Sequence, residues 1–365
     1  MKPLRIELQP RLVPSRWSGI AAPVAALLVA LAIGAVIVAI LGRSPLAAFR
    51  VYFVEPLTQD WSLEALAVKA SPLVLIAVGL AFCFRANLWN IGAEGQFIAG
   101  GALGGALGLA THGADHAGPL GGAWILPAML ALGVVGGAVY ALIPAVLLAT
   151  LGVSEILSSL MLVYVARLAL DYLVRGPWRD PAGFNFPVSV NFDPEATLPS
   201  LIAGAQLHAG VLLTLVAVAV AALVFSRTMF GYEIRTVGAA PRAARFAGFS
   251  ERRLALGVFA LSGGLAGLAG IMEVSGQIGQ LQPSISPGYG FTAIIVAFLG
   301  RLQPFGILMA GLVLALTYVG GEGAQIALKL PLDVTTAFQG VLLICVLGAD
   351  VATRYRVRLV GRIGP

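Results

Sequence analysis

The sequence predicts an all-α fold, a polytopic membrane helix bundle of about ten transmembrane helices with both termini in the cytoplasm. Of its 365 residues, 59% are hydrophobic and only 11% are charged, and the mean hydropathy is +0.92. Soluble domains carry about 25% charged residues. The apolar residues also occur in runs close to the roughly 20 residues that a helix needs to cross a bilayer. Composition and run length therefore both place the chain in a membrane.

Ten apolar runs account for the predicted spans. The run 19–41 is too long for the 7–15-residue apolar region of a signal peptide, so we interpret it as an uncleaved first span. The run 290–299 is short for a crossing and is either a half-helix or extends into its flanks. The predicted spans are residues 19–41, 64–84, 91–110, 123–150, 153–174, 206–225, 254–272, 290–299, 305–320 and 334–348.

The distribution of Lys and Arg predicts the orientation. Sixteen of the 23 lie in segments that ten spans would place in the cytoplasm, five lie in the opposite segments, and Lys69 and Arg167 lie within spans. This asymmetry follows the positive-inside rule. It predicts a cytoplasmic segment 1–18, a transmembrane domain 19–350 and a basic cytoplasmic tail 351–365. Because the positive charges lie in short clusters between apolar runs, the net charge of +6 does not indicate nucleic-acid binding.

The cytoplasmic connection 226–253 carries six of the sixteen positive charges. Within it, residues 240–247 are predicted as a short helix that Pro241 opens and Gly248 stops. Such a helix is a docking element for a soluble partner. The alternative is a solvated loop that merely obeys the positive-inside rule.

Polar residues inside a membrane are costly and are therefore functional candidates. The densest set lies between the second and third spans and comprises Asn87, Trp89, Asn90, Glu94 and Gln96. It either lines a solute pathway or forms a turn near the headgroups. Glu155 and Ser158 open the fifth span and either line the pathway or bond neighbouring helices. Amide and aromatic groups at Gln277, Tyr289 and Phe291 suit a neutral hydroxylated or heterocyclic solute.

Several catalytic patterns are missing from the sequence. No glycine-rich phosphate loop ends in Gly-Lys-Ser/Thr, and neither a nucleophile elbow nor an HExxH zinc motif occurs. His112 and His116 lack an obvious third ligand. We therefore expect no enzyme activity, no cofactor and no metal in this chain. If transport is driven by ATP, another chain must hydrolyse it.

Three motifs in order resemble the permeases of ABC importers, in the nucleoside branch of the group that also handles simple sugars and branched-chain amino acids. Residues 90–96 read Asn-Ile-Gly-Ala-Glu-Gly-Gln and are similar to that branch's N-I-G-A-E-G-Q signature. Residues 231–248 resemble its cytoplasmic loop G-x-E-[IL]-R-A-V-G-x-N-P-x-A-A-x-[YF]-A-G, and residues 286–300 its S-x-G-Y-G-F…V-A-L-L-G segment. The order and spacing agree from about residue 70 to residue 350.

The resemblance implies an inner-membrane permease that imports a small polar solute, nucleosides first. It implies two ATP-binding subunits, a second related permease (a heterodimer, or alternatively a homodimer) and a periplasmic or lipid-anchored solute-binding protein. It makes 226–253 a coupling loop to the ATPase, with the residues Glu233, Arg235, Gly238, Pro241, Arg242, Ala244, Arg245 and Gly248. The family's pattern has Asn where this chain has Ser154 and Val163, which allows a different solute.

Other functions stay open at this level. Simple sugars or branched-chain amino acids are alternative solutes. A secondary transporter coupled to ions is a different class, and Glu94 and Glu155 are the carboxylates that it would need. The missing catalytic patterns disfavour a membrane-embedded enzyme.

Overall fold

All ten predicted spans coincide with helices in the computed structural model, which describes residues 5–10, 18–113, 122–202 and 204–360. The remainder of the predicted segments 1–18 and 351–365 lies outside the described residues, as does His116. The helices are α1 Ser18–Ile40, α2 Pro45–Phe49, α3 Asp60–Arg85, α4 Ala93–Ala110, α5 Ile125–Leu151, α6 Glu155–Arg175, α7 Gly210–Arg227, α8 Met229–Ala239, α9 Pro241–Phe246, α10 Glu251–Glu273, α11 Tyr289–Leu299, α12 Pro304–Leu328 and α13 Leu332–Arg354.

Six helices in the described part of the chain are long and apolar enough to cross a membrane. These segments are Trp61–Arg85, Ile125–Leu151, Glu155–Arg175, Gly210–Arg227, Glu251–Ile278 and Pro304–Leu328. Three apolar helical segments are shorter, namely Val24–Ile40, Tyr289–Leu299 and Asp333–Ala349. The protein is therefore a multi-pass, predominantly helical membrane protein.

One element departs from the all-α prediction. Strands β1 (Arg5–Pro10) and β2 (Tyr355–Val360) form an antiparallel pair in which Arg5 lies opposite Val360. Sequence periodicity did not predict this pairing, because a two-stranded ribbon requires two segments 345 or more residues apart to meet.

The chain divides into two compact units, residues 1–56 with 320–365 and residues 57–319. In the first unit, the hydroxyl of Tyr52 lies 2.8 Å from that of Thr335 and ties the segment after α2 to α13. Gly34 of α1 lies against the ring of Phe338, where an added Cβ would come within 2.9 Å of the ring. The absence of a side chain at Gly34 therefore lets α1 and α13 pack closely.

The second unit is built around α3 and α10, the most buried of its candidate spans. Helices α4, α5 and α10 meet at glycines. A methyl group at Gly100 would overlap the Cα of Gly267, and one at Gly137 would overlap the carbonyl oxygen of Gly263. Small residues permit this backbone approach in membrane helices, so these glycines allow the three helices to pack closely.

Candidate solute passage and coupling segment

The buried amide pair Asn90 and Gln96 joins the turn before α4 to α10. Asn90 Nδ2 donates to Gln96 Oε1 at 2.9 Å and to Ser262 Oγ at 3.1 Å. Asn90 Oδ1 accepts from Gln96 Nε2 at 2.9 Å and from the backbone N–H of Gly92 at 3.1 Å. These bonds occupy both donors and both acceptor positions of the Asn90 amide. Its hydrogen-bonding capacity is thus used within the chain.

Glu94 lies in the first turn of α4 with a side chain that is 0% exposed. Its Oε1 accepts from the Arg167 guanidinium of α6 at 3.1 Å, and its Oε2 accepts from the backbone N–H of Gly290 at 2.7 Å. Gly290 is the second residue of α11, so the carboxylate also lies at the positive end of that helix dipole. A buried charge needs such partners, and here they join three helices.

The turn between α3 and α4 is fixed by α6. The backbone N–H of Trp89 donates to Glu155 Oε1 at 3.3 Å, and that of Ile91 donates to Ser159 Oγ at 3.2 Å. Asn87 is exposed and has a φ of 59°, a left-handed conformation that asparagine tolerates better than most residues. Glu155 and Ser159 therefore hold a non-helical turn whose backbone groups would otherwise lack partners.

The other predicted pathway residues occupy different environments. The Trp89 ring stacks at 5.9 Å from Phe298 and stays 37% exposed. Ser158 donates back to the carbonyl of Ser154 at 2.9 Å. The side chain of Gln277 is exposed, that of Phe291 is half-buried, and that of Tyr289 is buried with its ring 6.1 Å from Phe97. Of these residues, Glu94 lies beside the start of α11. The contact with solute that the sequence predicts for all ten pathway residues stays a prediction.

The predicted short helix is present as α9, Pro241–Phe246. Pro241 occupies its first turn, and Gly248 follows with a φ of 82°, a conformation that favours glycine. Ala244 is buried, whereas Arg242 and Ala243 are exposed. The remaining predicted coupling residues are the half-buried Glu233 and Gly238 and the exposed Arg235, Pro241, Arg245 and Gly248. Arg245 pairs with Glu251 at 2.9 and 3.0 Å.

Two residues that sequence reasoning left without a role stand out in the structure. Arg167 is the partner of Glu94, and its position inside an apolar run was a signal that it needed one. Phe246, at the end of α9, is 95% exposed. No sequence pattern distinguished its exposure, because an aromatic residue next to an arginine in a short helix fits burial equally well.

Comparison with known proteins identifies the family. The family described as branched-chain amino acid transport system / permease component matches residues 62–347. The chain is 36% identical over 364 residues to the glucose ABC transporter permease protein TsgB13 of Haloferax volcanii, covering 97% of this chain and 94% of that one.

Two further relatives are named for nucleosides. The nucleoside ABC transporter permease protein NupB of Lactococcus lactis is 28% identical, with 82% of this chain and 83% of the relative covered. The guanosine ABC transporter permease protein NupP of Bacillus subtilis is 26% identical, with 94% and 96% covered. The chain therefore belongs to the ABC transporter permeases of the branched-chain amino acid and sugar family, among relatives named for sugars and nucleosides.

Proposed function

We propose that this chain is the permease subunit of a binding-protein-dependent ABC importer and moves a neutral hydroxylated solute across the inner, or plasma, membrane. ATP is hydrolysed by separate subunits. The observation that carries the proposal is α9, a six-residue helix with an almost fully exposed Phe246 and an exposed Arg242. It lies in a chain related to an ABC permease over nearly its whole length. An aromatic side chain flanked by arginine is a typical anchor at protein interfaces.

The attachment of α8 supports a coupling role for α9. A methyl group at Gly238 would overlap the carbonyl oxygen of Arg85, and one at Gly231 would overlap that of Val224. Helix α8 therefore rests directly on the ends of α3 and α7. If a partner displaced α9, α8 would move α3 and α7 with it, because the backbone of α8 is in direct contact with the backbone of both helices.

The partners that we propose are those that the resemblance to ABC importer permeases implies. Two ATP-binding subunits would bind the α9 surfaces of two permeases, this chain and a second related permease, as a heterodimer or alternatively a homodimer. A periplasmic or lipid-anchored binding protein would deliver the solute to the other face. The surrounding lipid covers the exposed apolar helix faces.

Nucleosides are the first candidate solute. The motif at residues 90–96 and the relatives NupB and NupP support them. Simple sugars are the second candidate, supported by the 36% identity to the glucose permease TsgB13. A sugar ring with free hydroxyls is common to both classes. Branched-chain amino acids stay a third possibility through the family's name.

Ten crossings with both ends in the cytoplasm remain our proposal for the topology. The six long helices, the three shorter apolar segments and the glycine-rich helix Ala93–Ala110 supply ten candidates. The pairing of β1 with β2 supports an even number of crossings, because paired strands must lie on the same side of the membrane. The basic segment around α9 then lies in the cytoplasm.

The test is reconstitution of the complete complex with its ATPases and binding protein in proteoliposomes. We expect ATP-dependent uptake of guanosine, with glucose measured in parallel. F246A and R242E should lower the solute-stimulated ATPase rate, whereas F186A, which removes another exposed ring from the segment between the fifth and sixth predicted spans, should not. Uptake that persists without the ATPases and collapses with the proton gradient would instead indicate a secondary transporter.

A further inference from the structure

Helix α6 carries a row of polar side chains along one flank. Tyr164, Arg167, Asp171 and Arg175 follow one another at spacings of three, four and four residues, which places them in line on a helix. Tyr164 is 55% exposed, and the side chains of the other three are 45%, 37% and 59% exposed. We call these four residues the α6 polar strip. At 1.5 Å per residue it is about 16 Å long.

Arg167 forms the inner part of this strip at membrane depth. It is the thirteenth of the 21 residues of α6, about 18 Å from the helix start. That position is near the middle of a hydrocarbon core about 30 Å thick. A half-exposed guanidinium at this depth does not face lipid at equilibrium without severe cost, so it faces water or protein.

The rest of the exposed surface of α6, next to the strip, has a different composition. Leu157, Met161, Val165, Leu168 and Tyr172 are 53–71% exposed and form a mainly apolar face. Successive helix residues are separated by about 100°, so Val165 points about 160° away from Arg167. An apolar face suits lipid, whereas the polar strip requires water or protein beside the same helix.

The partner of Arg167 leaves most of its donors unused. A guanidinium has five N–H donors. Among the described residues, its hydrogen-bond partner is one oxygen of Glu94, at 3.1 Å. Glu94 is fully buried and is also fixed by the N–H of Gly290. The buried Glu94 carboxylate therefore fixes the orientation of the Arg167 guanidinium, while the remaining part of the Arg167 side chain is exposed.

We propose that the α6 polar strip lines the solute passage and that Arg167 donates hydrogen bonds to oxygen atoms of the solute as it crosses. This inference rests on the proposed import function. The ligand class is a neutral solute rich in hydroxyl or carbonyl oxygens, since a guanidinium fork matches such acceptors. Glu94 is a positioning residue, which acts through Arg167 and the start of α11.

Cysteine accessibility tests whether the strip is wet. In the assembled complex carrying C345A, Y164C and R167C are treated with a charged, membrane-impermeant methanethiosulfonate reagent, and V165C is the matched control at the same depth. We expect Y164C and R167C to react at least about tenfold faster than V165C, because each unit by which an apolar environment raises a thiol pKa removes a tenfold share of thiolate. Guanosine or glucose should slow the reaction at position 167.

Y164C keeps the Glu94–Arg167 pair and decides the test if R167C fails to assemble. A Y164C rate lower than that of V165C would overturn the proposal. Equally fast labelling of both would also overturn it, because water would then reach both sides of α6. The contrast needs no transport. A complex that takes up neither guanosine nor glucose would therefore count against the proposed solutes, while the labelling would still report on the strip.

Uptake kinetics test the solute contact. R167Q should raise KM for the transported solute by roughly tenfold or more, as expected when a hydrogen bond from a charged donor is lost. R167K should recover part of the loss. F305A, which shortens an exposed apolar side chain of α12, should leave KM unchanged. If R167Q lowers only the amount of assembled complex and KM stays at the wild-type value, Arg167 is structural and the proposal fails.

Discussion

At the scale of single residues, the polar motif at the start of α4 behaves as a brace. The side-chain amides of Asn90 and Gln96 hydrogen-bond to each other, and the Glu94 carboxylate accepts hydrogen bonds from Arg167 and from the N–H of Gly290. An unpaired buried polar group is costly, so these side chains contribute to stability whether or not they also meet solute. A transport defect in a variant of Asn90 or Glu94 therefore has to be separated from a folding defect.

Asn90 offers a direct measure of this brace. N90L has a similar size but leaves the amide of Gln96 and the N–H of Gly92 without their partner. Each such buried group costs about 1–3 kcal/mol, so the melting temperature in detergent should fall clearly below wild type. N87G is the control, because Asn87 is exposed and already has a left-handed backbone. An N90L protein as stable as N87G would contradict the brace.

We expect His208 to make the stability depend on pH. Burial lowers its pKa below the ordinary value near 6.5, and its Nδ1 accepts from the N–H of Gly210 at 3.2 Å, which requires the neutral ring. Below pH of about 6.5 the unfolded chain takes up this proton first. The stabilising contribution is therefore complete above that pH and is lost as the pH falls towards the lower folded-state pKa.

Thermal unfolding at a series of pH values between about 7.5 and 5 measures this effect against the ordinary histidine pKa. H208N should flatten the decline of the melting temperature on acidification. H112N, which changes a partly exposed histidine on another segment, should leave it largely intact. An identical decline in wild type and H208N would remove His208 as the cause.

At the scale of elements, the glycines of α4, α5 and α10 set the distance between these three helices. In G267A the new methyl group would overlap the carbonyl oxygen of Gly133 and lie 2.8 Å from the Cα of Gly137. Both neighbours are backbone atoms, which cannot rotate away. We expect a loss of about 1–3 kcal/mol or more from overpacking, seen as a lower melting temperature and a smaller yield of monodisperse protein.

G340A is the matched control for this prediction. Gly340 lies within α13 with open space around its added Cβ. The same substitution there should be neutral or stabilise by about 0.5–1 kcal/mol, because alanine loses less backbone entropy than glycine in a helix. Equal effects of G267A and G340A would show that helix propensity, and not close packing, governs these positions.

At the scale of the whole molecule, the membrane topology is the property that most of the functional proposals depend on. Cysteines at Arg242 and at Phe186 should react with an impermeant thiol reagent from opposite sides of the membrane, Arg242 from the cytoplasm. The physical reason is the excess of positive charge on the side that holds residues 226–253. Whole cells and inverted vesicles distinguish the two sides.

Reaction of both positions from one side would contradict the single crossing between them and would require a new assignment for α7, Gly210–Arg227. Reaction of position 242 from outside would remove the proposed contact with an ATPase altogether.

Much of this molecule can be predicted from its residues alone. The helices that coincide with the ten predicted spans follow from apolar runs, since an apolar run in lipid must satisfy its backbone groups internally. The bounds of α9 follow from Pro241 and Gly248, because proline fits a helix start and glycine a left-handed stop. These features depend on neighbours a few residues apart. Local sequence is therefore sufficient to specify them.

The partners of the polar residues required the folded chain. Asn90 meets Ser262, Glu94 meets Arg167 and Gly290, and β1 meets β2, all across separations that no local pattern encodes. From composition alone, Glu94 could belong either to a solute passage or to a turn near the headgroups, and Arg167 had no predicted role. Burial and hydrogen bonding depend on which helix faces pack together. Only the packed structure therefore distinguishes the buried groups of the brace, such as Glu94, from the exposed groups of the α6 polar strip, such as Arg167.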